Sequence, residues 1–337
     1  MSRCLATSDL IDVDDLLPAA VAENTVDGEL WALPAFVSTP VVYIDQSQFR
    51  AVGLDPTDVP EDLAQLRTML EALRTQGGLA DGFVTASSDW FISAWAADLG
   101  VRFAPDDGRT ALGPEHLDLH DSALESRLGG LADLAEDGLV RYVDGKNYAD
   151  LLLLTDPTAP AAMVLHTSGS MGTVYGLLED GRFDDSELGV LPFPLTDSGT
   201  VLGGPSGWLL ADSPTQQRAS WAFLAYLSGP DAQAKIGTIG YAPVHRDALS
   251  DPGLQAAWTE RPGLRVPTDV LWAIDPAGGH VGWEAGPSVR VAWRLDWAGH
   301  NVLDGRSIPD ALDDAMTDLD SILASYRDAR HQAAGAP

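Results

Sequence analysis

The hydroxyl-bearing turn Thr167-Ser168-Gly169-Ser170 is the stretch of the chain best suited to chemistry. It follows an apolar run, Ala162 to Leu165, that reads as a strand, and precedes a short helical run from Met171 to Leu178. That order places hydroxyls and free backbone N–H groups at the mouth of a helix, where the dipole favours an anion or a polar oxygen. The same residue types also serve as ordinary N-caps, so a binding role and a capping role both fit. Gly203 and Gly204 leave room for a ligand to approach the backbone. Tyr241 lies in a turn fixed by Gly240 and Pro243, from which a phenol can point into a cleft. Arg290 follows Pro287 and Ser288 at a helix start, where its planar donors suit a phosphate, a sugar diol or a salt bridge to a nearby acid. In the aromatic row Trp90, Phe91, Trp95, the first begins a helix and offers a flat stacking face, whereas Trp95 reads as core.

None of these residues forms a catalytic constellation. Ser170 stands in GSMG and Ser206 in GPSG, neither of them the GxSxG of a nucleophile elbow. His166 precedes Thr167 and Ser168, but neighbours on a strand point to opposite faces and cannot act as base and nucleophile together. There is no HExxH, no His pair at metal spacing, and no phosphate or dinucleotide glycine loop, so the sequence calls for no cofactor and no metal. Carboxylates are abundant enough that a paired-acid glycosidase stays as a distant alternative without positive support.

The charge narrows the partners. Fifty acidic against twenty basic residues in 337 leave a net charge of −30, which excludes nucleic acid and anionic membrane as partners. The acids are spread along the chain, as on a solvated surface. Cys4 is the single cysteine, so the chain holds no internal disulfide. The first thirty residues carry no signal-peptide pattern or lipobox, which by itself points to the cytoplasm. At 45% hydrophobic content the chain can fill one large core or two ordinary ones.

The elements that must position the candidates are legible. A hairpin turns at Asp27-Gly28, "TPVVYID" is an apolar β-branched strand, and "QSQFRAVGL" is a short helix stopped by Gly53. Leu63, Leu66, Met69, Leu70 and Leu73 line one face of a helix that Gly77-Gly78 ends. Residues 104–160 are mostly helical and acidic, and "LGVLPFPL" is a further buried strand. "PTQQRASWAFLAYLSG" is an amphipathic helix with Pro214 in its first turn, and Trp221, Phe223, Leu224, Tyr226 and Leu227 read as its packing residues. After Arg290, Val291, Ala292, Leu295 and Val302 form the inner side of another helix.

Two blocks carry a family resemblance. The stretch "DGELWALPAFVSTPVVYID" with the following "GLDP", and the ordered series "HTSGS", "GVLPFP", "GGPSGW", "SGPDAQAK" and "GYAPV", resemble the extracellular solute-binding proteins of ABC importers, in the group that captures sugars and glycerol phosphate compounds. The resemblance covers residues 20–330 and implies an α/β, two-lobe periplasmic-binding-protein-like fold of type II. Its expected division is 1–37 as a remnant of the first lobe, 38–165 mainly second lobe, and 166–337 alternating between lobes before C-terminal helices. The first lobe reads as N-terminally truncated, because the "DG.LW.LP" stretch comes so early. A truncated paralogue without ligand binding is therefore an alternative to a working receptor. The resemblance also implies an extracellular or cell-surface location, a monomer, permease subunits as partners, and a small-molecule ligand held by hinge closure. Ser38 and Thr39 at the first crossing join Trp90, Ser168, Ser170, Gly204, Tyr241 and Arg290 as expected ligand-binding residues. Arg290 at the family's "P..R" position favours a glycerol phosphate; for a neutral sugar, Asp89 or Glu284 would accept hydroxyls instead.

Overall fold

The computed structural model describes residues 1–5, 8–79, 81–86, 91–104, 110–143, 148–156, 158–178, 187–193, 199–274 and 288–334. The chain opens with α1 (Ser2–Leu5) and α2 (Pro18–Glu23), the hairpin of β1 (Thr25–Val26) and β2 (Glu29–Leu30), and the short strand β3 (Leu33–Pro34). The hairpin loop, Asp27-Gly28, has φ of 51° and 72°, the left-handed pair that a tight two-residue loop between twisted strands requires. The chain then enters β4 (Pro40–Asp45), α3 (Gln46–Ala51), α4 (Leu63–Gly77), β5 (Asp81–Ala86) and α5 (Phe91–Asp98). It continues through α6 (Ser122–Glu136), β6 (Val140–Val143), α7 (Ala149–Leu154), β7 (Ala161–Thr167), α8 (Met171–Leu178) and β8 (Leu188–Pro192). It returns through β9 (Ser206–Gly207), α9 (Pro214–Ser228), α10 (Pro230–Gly237), α11 (Pro252–Glu260) and α12 (Val266–Ala273), and ends in α13 (Ser288–Leu303) and α14 (Ile308–Ala334).

Five strands form one sheet in the order β6-β5-β7-β4-β8. β5 runs parallel to β6 and β7, and β4 runs antiparallel to both of its neighbours, with Tyr43 opposite Val164 of β7 and Val190 of β8. All six residues of β4 are buried, as its β-branched composition and central place demand. Its one proline, Pro40, stands at the first position, where a strand tolerates the missing donor.

Alternation along the strands gives the sheet two apolar faces. Val42, Ile44, Phe83, Met163 and Leu165 meet α4, α5, α6, α13 and α14 on one side. Val41, Tyr43, Val84 and Val164 meet α7, α8 and the 252–265 segment on the other. The helices form where the heptad-like spacing and their caps agree: Asp62 accepts from Gln65 N ahead of α4, and Asp121 accepts from Ala123 N and Leu124 N ahead of α6. Inside α13, Val291, Leu295, Ala298 and Val302 are buried, and Ala292 is only partly so.

A third core lies apart from this sheet. Leu16, Leu17, Leu30, Leu33, Val37, Leu202, Trp221, Leu224, Val244 and Leu271 bring the first 37 residues against α9 and α12. β3 and β9 pair as a two-stranded ribbon beneath α9. The wholly buried Gln233 ties this body together, donating to Ala35 O and Leu227 O at 2.7 Å each and accepting from Val244 N at 2.8 Å. Phe223 and Tyr226 depart from the expected packing: they are 58% and 56% exposed, because the small ribbon covers only the Trp221 and Leu224 stripe of α9. No helix among the described residues is long and apolar enough to cross a membrane.

Candidate functional site

Between the third core and the sheet, four backbone segments meet. Val37 pairs with Ala242, whose N–H donates to Val37 O at 2.8 Å. Ser38 exchanges both backbone bonds with Gly203, at 2.9 and 2.8 Å. Ser168 N donates to Thr39 O at 2.9 Å, and Thr39 N donates back to Ser168 Oγ at 3.2 Å. Thr39 Oγ1 lies 3.0 Å from Thr200 Oγ1 and donates to Val201 O at 3.1 Å. Segments 37–39 and 200–204 thus link the third core to the sheet, with the turns at 168–169 and 240–242 closing on them, while the 252–265 segment and α12 also lie between the two.

Glycines allow this crowding. Gly204 has φ +101°, and a Cβ there would stand 1.8 Å from Phe36 O. Gly240 has φ +104°, and its Cβ would fall 2.4 Å from Ser168 O. The ring of Tyr241 lies against Gly169, where a Cβ would come within 2.8 Å of Cε1, and meets Phe36 edge-on at 5.4 Å between centroids.

Six of the residues singled out from sequence thus gather in one place: Ser38, Thr39, Ser168, Ser170, Gly204 and Tyr241. Their state differs from the expected one of open donors. Ser38, Thr39, Ser168 and Ser170 are all buried, and the hydroxyls of Thr39 and Ser168 are engaged within the protein. Tyr241 alone of the side-chain donors is half-buried with its phenol beside the turn. Arg290 stands elsewhere, exposed in the first turn of α13, which packs on α5, α6, α14 and β6; among the described residues it makes no hydrogen bond or ion pair. Trp90, Asp89 and Glu284 lie outside the described residues. Thr200, wholly buried and donating to Phe193 O at 3.3 Å, belongs to the crossing and carried no signal in the sequence beyond its polar loop.

The crossing yields a direct prediction. Thr39→Val keeps the shape of the side chain and removes its hydroxyl, leaving Val201 O and Thr200 without that partner. It is expected to cost about 1–2 kcal/mol in denaturant unfolding. An unchanged midpoint would show that these bonds do not hold the segments together.

Two residues before Ser168, within β7, His166 faces a buried carboxylate. Tyr43 Oη donates to Thr167 O at 2.9 Å, and on the same face His166 Nε2 lies 3.5 Å from Asp150 Oδ2. Asp150 is fully buried, and neither of its oxygens has a hydrogen-bond partner of good geometry. Burial raises its carboxyl above the ordinary value, against the pull of His166 and of nearby backbone N–H groups. Burial likewise lowers the His166 imidazole, against the pull of Asp150. Burial, with Tyr175 and Asp150 adding to it, holds the Tyr43 phenol well above its ordinary value. A carboxyl whose folded pKa exceeds its unfolded one gives its full stability in acid and loses it as pH rises through the folded value. Asp150→Asn is therefore expected to raise the thermal midpoint at pH 8, with the gain disappearing below the ordinary carboxylate range. A gain that grew in acid would reverse this assignment.

Comparison with known proteins gives the architecture its place. The profile of bacterial extracellular solute-binding proteins matches residues 4–264. The chain belongs to that family. This solute-binding protein is 25% identical over 271 residues to the sn-glycerol-3-phosphate-binding periplasmic protein UgpB of Brucella abortus, covering 79% of this chain and 61% of that one. It thus spans about three-fifths of the length of that relative. To the UgpB of Escherichia coli it is 24% identical over 319 residues, 89% of this chain and 68% of the other. Among solved structures, the sugar-binding protein MalE from Xanthomonas citri superposes with a TM-score of 0.76 at 20% identity, over 98% of this chain and 80% of that one. UgpB from Mycobacterium tuberculosis in complex with glycerophosphocholine gives 0.72 at 18% identity, over 94% and 78%. These likenesses show the two-lobe α/β periplasmic-binding-protein fold. The family consists of transporter binding proteins, not enzymes. β5, β6 and β7 all end on the side of the sheet where the crossing lies, and in open α/β sheets ligands bind outside the carboxyl ends of the strands.

Proposed function

We propose that the protein is the solute-binding component of an ABC importer, capturing a sugar or glycerol-phosphate-type ligand between its lobes by hinge closure. The observation that carries this is the crossing itself: segments 37–39 and 200–204 and their hydrogen bonds link the third core to the sheet. We take the third core as one lobe, the sheet as the other, and this joint as the hinge about which they rotate. The relatives named for glycerol 3-phosphate and sugar binding support the ligand class.

In this reading Ser38, Thr39, Ser168 and Gly204 serve the hinge, and Ser170 and Tyr241 border the cleft beside it. Trp90 stacks on the ligand, and Arg290 supplies charge to a phosphate. The protein works outside the cytoplasm as a monomer and presents its closed form to permease subunits. The test is thermal unfolding against maltose, trehalose, glycerol 3-phosphate and glycerophosphocholine. A compound that binds only the folded state raises the midpoint as its concentration rises above its dissociation constant. A shift from a phosphate compound, lost in Arg290→Ala, supports the glycerol phosphate class; a shift from a sugar that survives in Arg290→Ala supports the sugar class. No shift from any compound in the panel would count against this ligand assignment.

A further inference from the structure

The carboxyl edge of the sheet carries a second group of side chains that the hinge does not use. Tyr148 precedes α7 with φ +58°, an uncommon conformation for a bulky side chain, and is 47% exposed. Outliers of this kind gather at ligand sites because the surroundings must hold them in place. Its ring centroid lies 6.4 Å from that of His166, at an interplanar angle of 47°. His166 is the penultimate residue of β7, two before the hinge residue Ser168, and its side chain keeps 16% exposure. Its Nδ1 is buried, so Nε2 is the nitrogen that can reach both solvent and Asp150. Behind it, Asp150 is closed off from solvent.

An exposed aromatic face next to a reachable imidazole nitrogen is a complementary pair for one kind of surface: a carbon face edged with hydroxyls. Asp150 Oδ2, 3.5 Å from Nε2, acts on the ring through its charge. Resting on the interlobe-cleft reading above, we propose that Tyr148 and His166 form a ligand-binding wall of the cleft for the hydroxyl-bearing carbon skeleton of the ligand, with Asp150 as the charge that His166 feels from behind. The groups facing His166 are Tyr148 and Asp150 from α7 and Tyr43 from β4. Tyr175 of α8 stands behind them, with the Arg261 guanidinium 4.2 Å from its ring centroid.

Contact with ligand must couple to the His166 proton. A ligand hydroxyl that covers Nε2 removes water from the imidazolium and favours the neutral ring. Binding therefore lowers the His166 titration midpoint, and by linkage affinity falls as pH falls through it. Removing Asp150 takes away the charge that favours the imidazolium, so the acid limb moves to lower pH.

The experiment is calorimetric titration of the full chain from pH 5 to 8 with maltose, trehalose, glycerol 3-phosphate and glycerophosphocholine. Wild type is compared with Tyr148→Asn, His166→Gln and Asp150→Asn; asparagine is chosen at 148 because it tolerates positive φ. NMR titration of the His166 ring in the unsubstituted chain, with and without the compound that binds, needs no variant to fold. The expected result is a loss of about 3–10-fold in affinity for Tyr148→Asn with its ligand-free thermal midpoint unchanged. His166→Gln flattens the pH profile, Asp150→Asn shifts its acid limb downward, and the His166 midpoint falls on binding. Binding that is identical in all variants and leaves the His166 midpoint unmoved overturns this inference and leaves the cleft reading standing. A His166 midpoint that rises on binding places an anionic group there and overturns the hydroxyl assignment. Wild-type protein that binds none of the compounds overturns both.

Discussion

Gly204→Ala is expected to destabilise the protein by about 2–5 kcal/mol, the sum of left-handed backbone strain and a clash that only backbone movement can relieve. The φ of +101° carries the first contribution. The second is the larger, because the new Cβ would stand 1.8 Å from Phe36 O, a main-chain atom with no rotamer to escape into. Relief requires shifting the 36–38 segment, which also holds Phe36 N to Pro205 O at 3.3 Å and the paired bonds of Ser38 with Gly203. Two nearby controls separate the causes. Gly305→Ala has φ +91° with no atom within 4 Å of the added Cβ, so it measures strain alone, about 1–2 kcal/mol. Gly203→Ala has ordinary φ and meets Ser38 Oγ at 3.2 Å and Ser38 O at an ordinary 3.9 Å, so a small adjustment of that side chain suffices. Chemical denaturation should rank the three with Gly204→Ala far ahead. Equal costs at 204 and 305 would mean that the crossing accommodates the methyl group and is looser than its geometry implies.

This contrast also separates what the sequence discloses from what it withholds. Local rules were enough for the Asp27-Gly28 hairpin, for α4 with its end at Gly78, where φ is +69°, and for the buried β4. They placed Ser168, Gly204 and Tyr241, and the family resemblance placed Ser38 and Thr39, in segments that do converge. They could not tell that the Thr39 and Ser168 hydroxyls already have partners, because those partners lie 129 and 161 positions apart in the chain. The helical period of α9 identified its apolar residues, but not which stripe the lobe would cover. Leu224 is buried where it meets Gly207, at which a Cβ would approach its Cδ2 to 2.3 Å, and Phe223 on the neighbouring stripe has no ribbon above it. The Asp150–His166 pair was equally hidden. Histidine on a strand and aspartate in a separate short helix have no shared period, and only the packing of α7 on β7 makes them neighbours.

The second large effect is expected in the sheet lobe, at Arg127. Its guanidinium donates to Asp98 Oδ2 at 2.5 Å, with the two side chains only 10% and 0% exposed, and its Cζ stands 4.9 Å from the Trp95 ring centroid. Arg127→Met keeps the length of the side chain and some of its packing on Trp95, but takes the Arg127 cation away from the buried Asp98 carboxylate. Removing one partner of a buried ion pair costs about 3–5 kcal/mol, mostly as the penalty for the charge left behind. The double variant Arg127→Met with Asp98→Leu removes that charge too, and is expected to recover more than half of the loss. The coupling energy from the four proteins isolates the pair from the packing of each side chain. The consequence reaches the hinge. Trp95 meets Phe193 edge-on at 4.8 Å, and Phe193 O accepts from the Thr200 hydroxyl that faces Thr39. A Trp95 released from its guanidinium loosens the shelf on which Phe193 rests, so Arg127→Met should also shrink the cost of Thr39→Val. Strict additivity between Arg127→Met and Thr39→Val would mean that the hinge and this aromatic shelf are energetically separate.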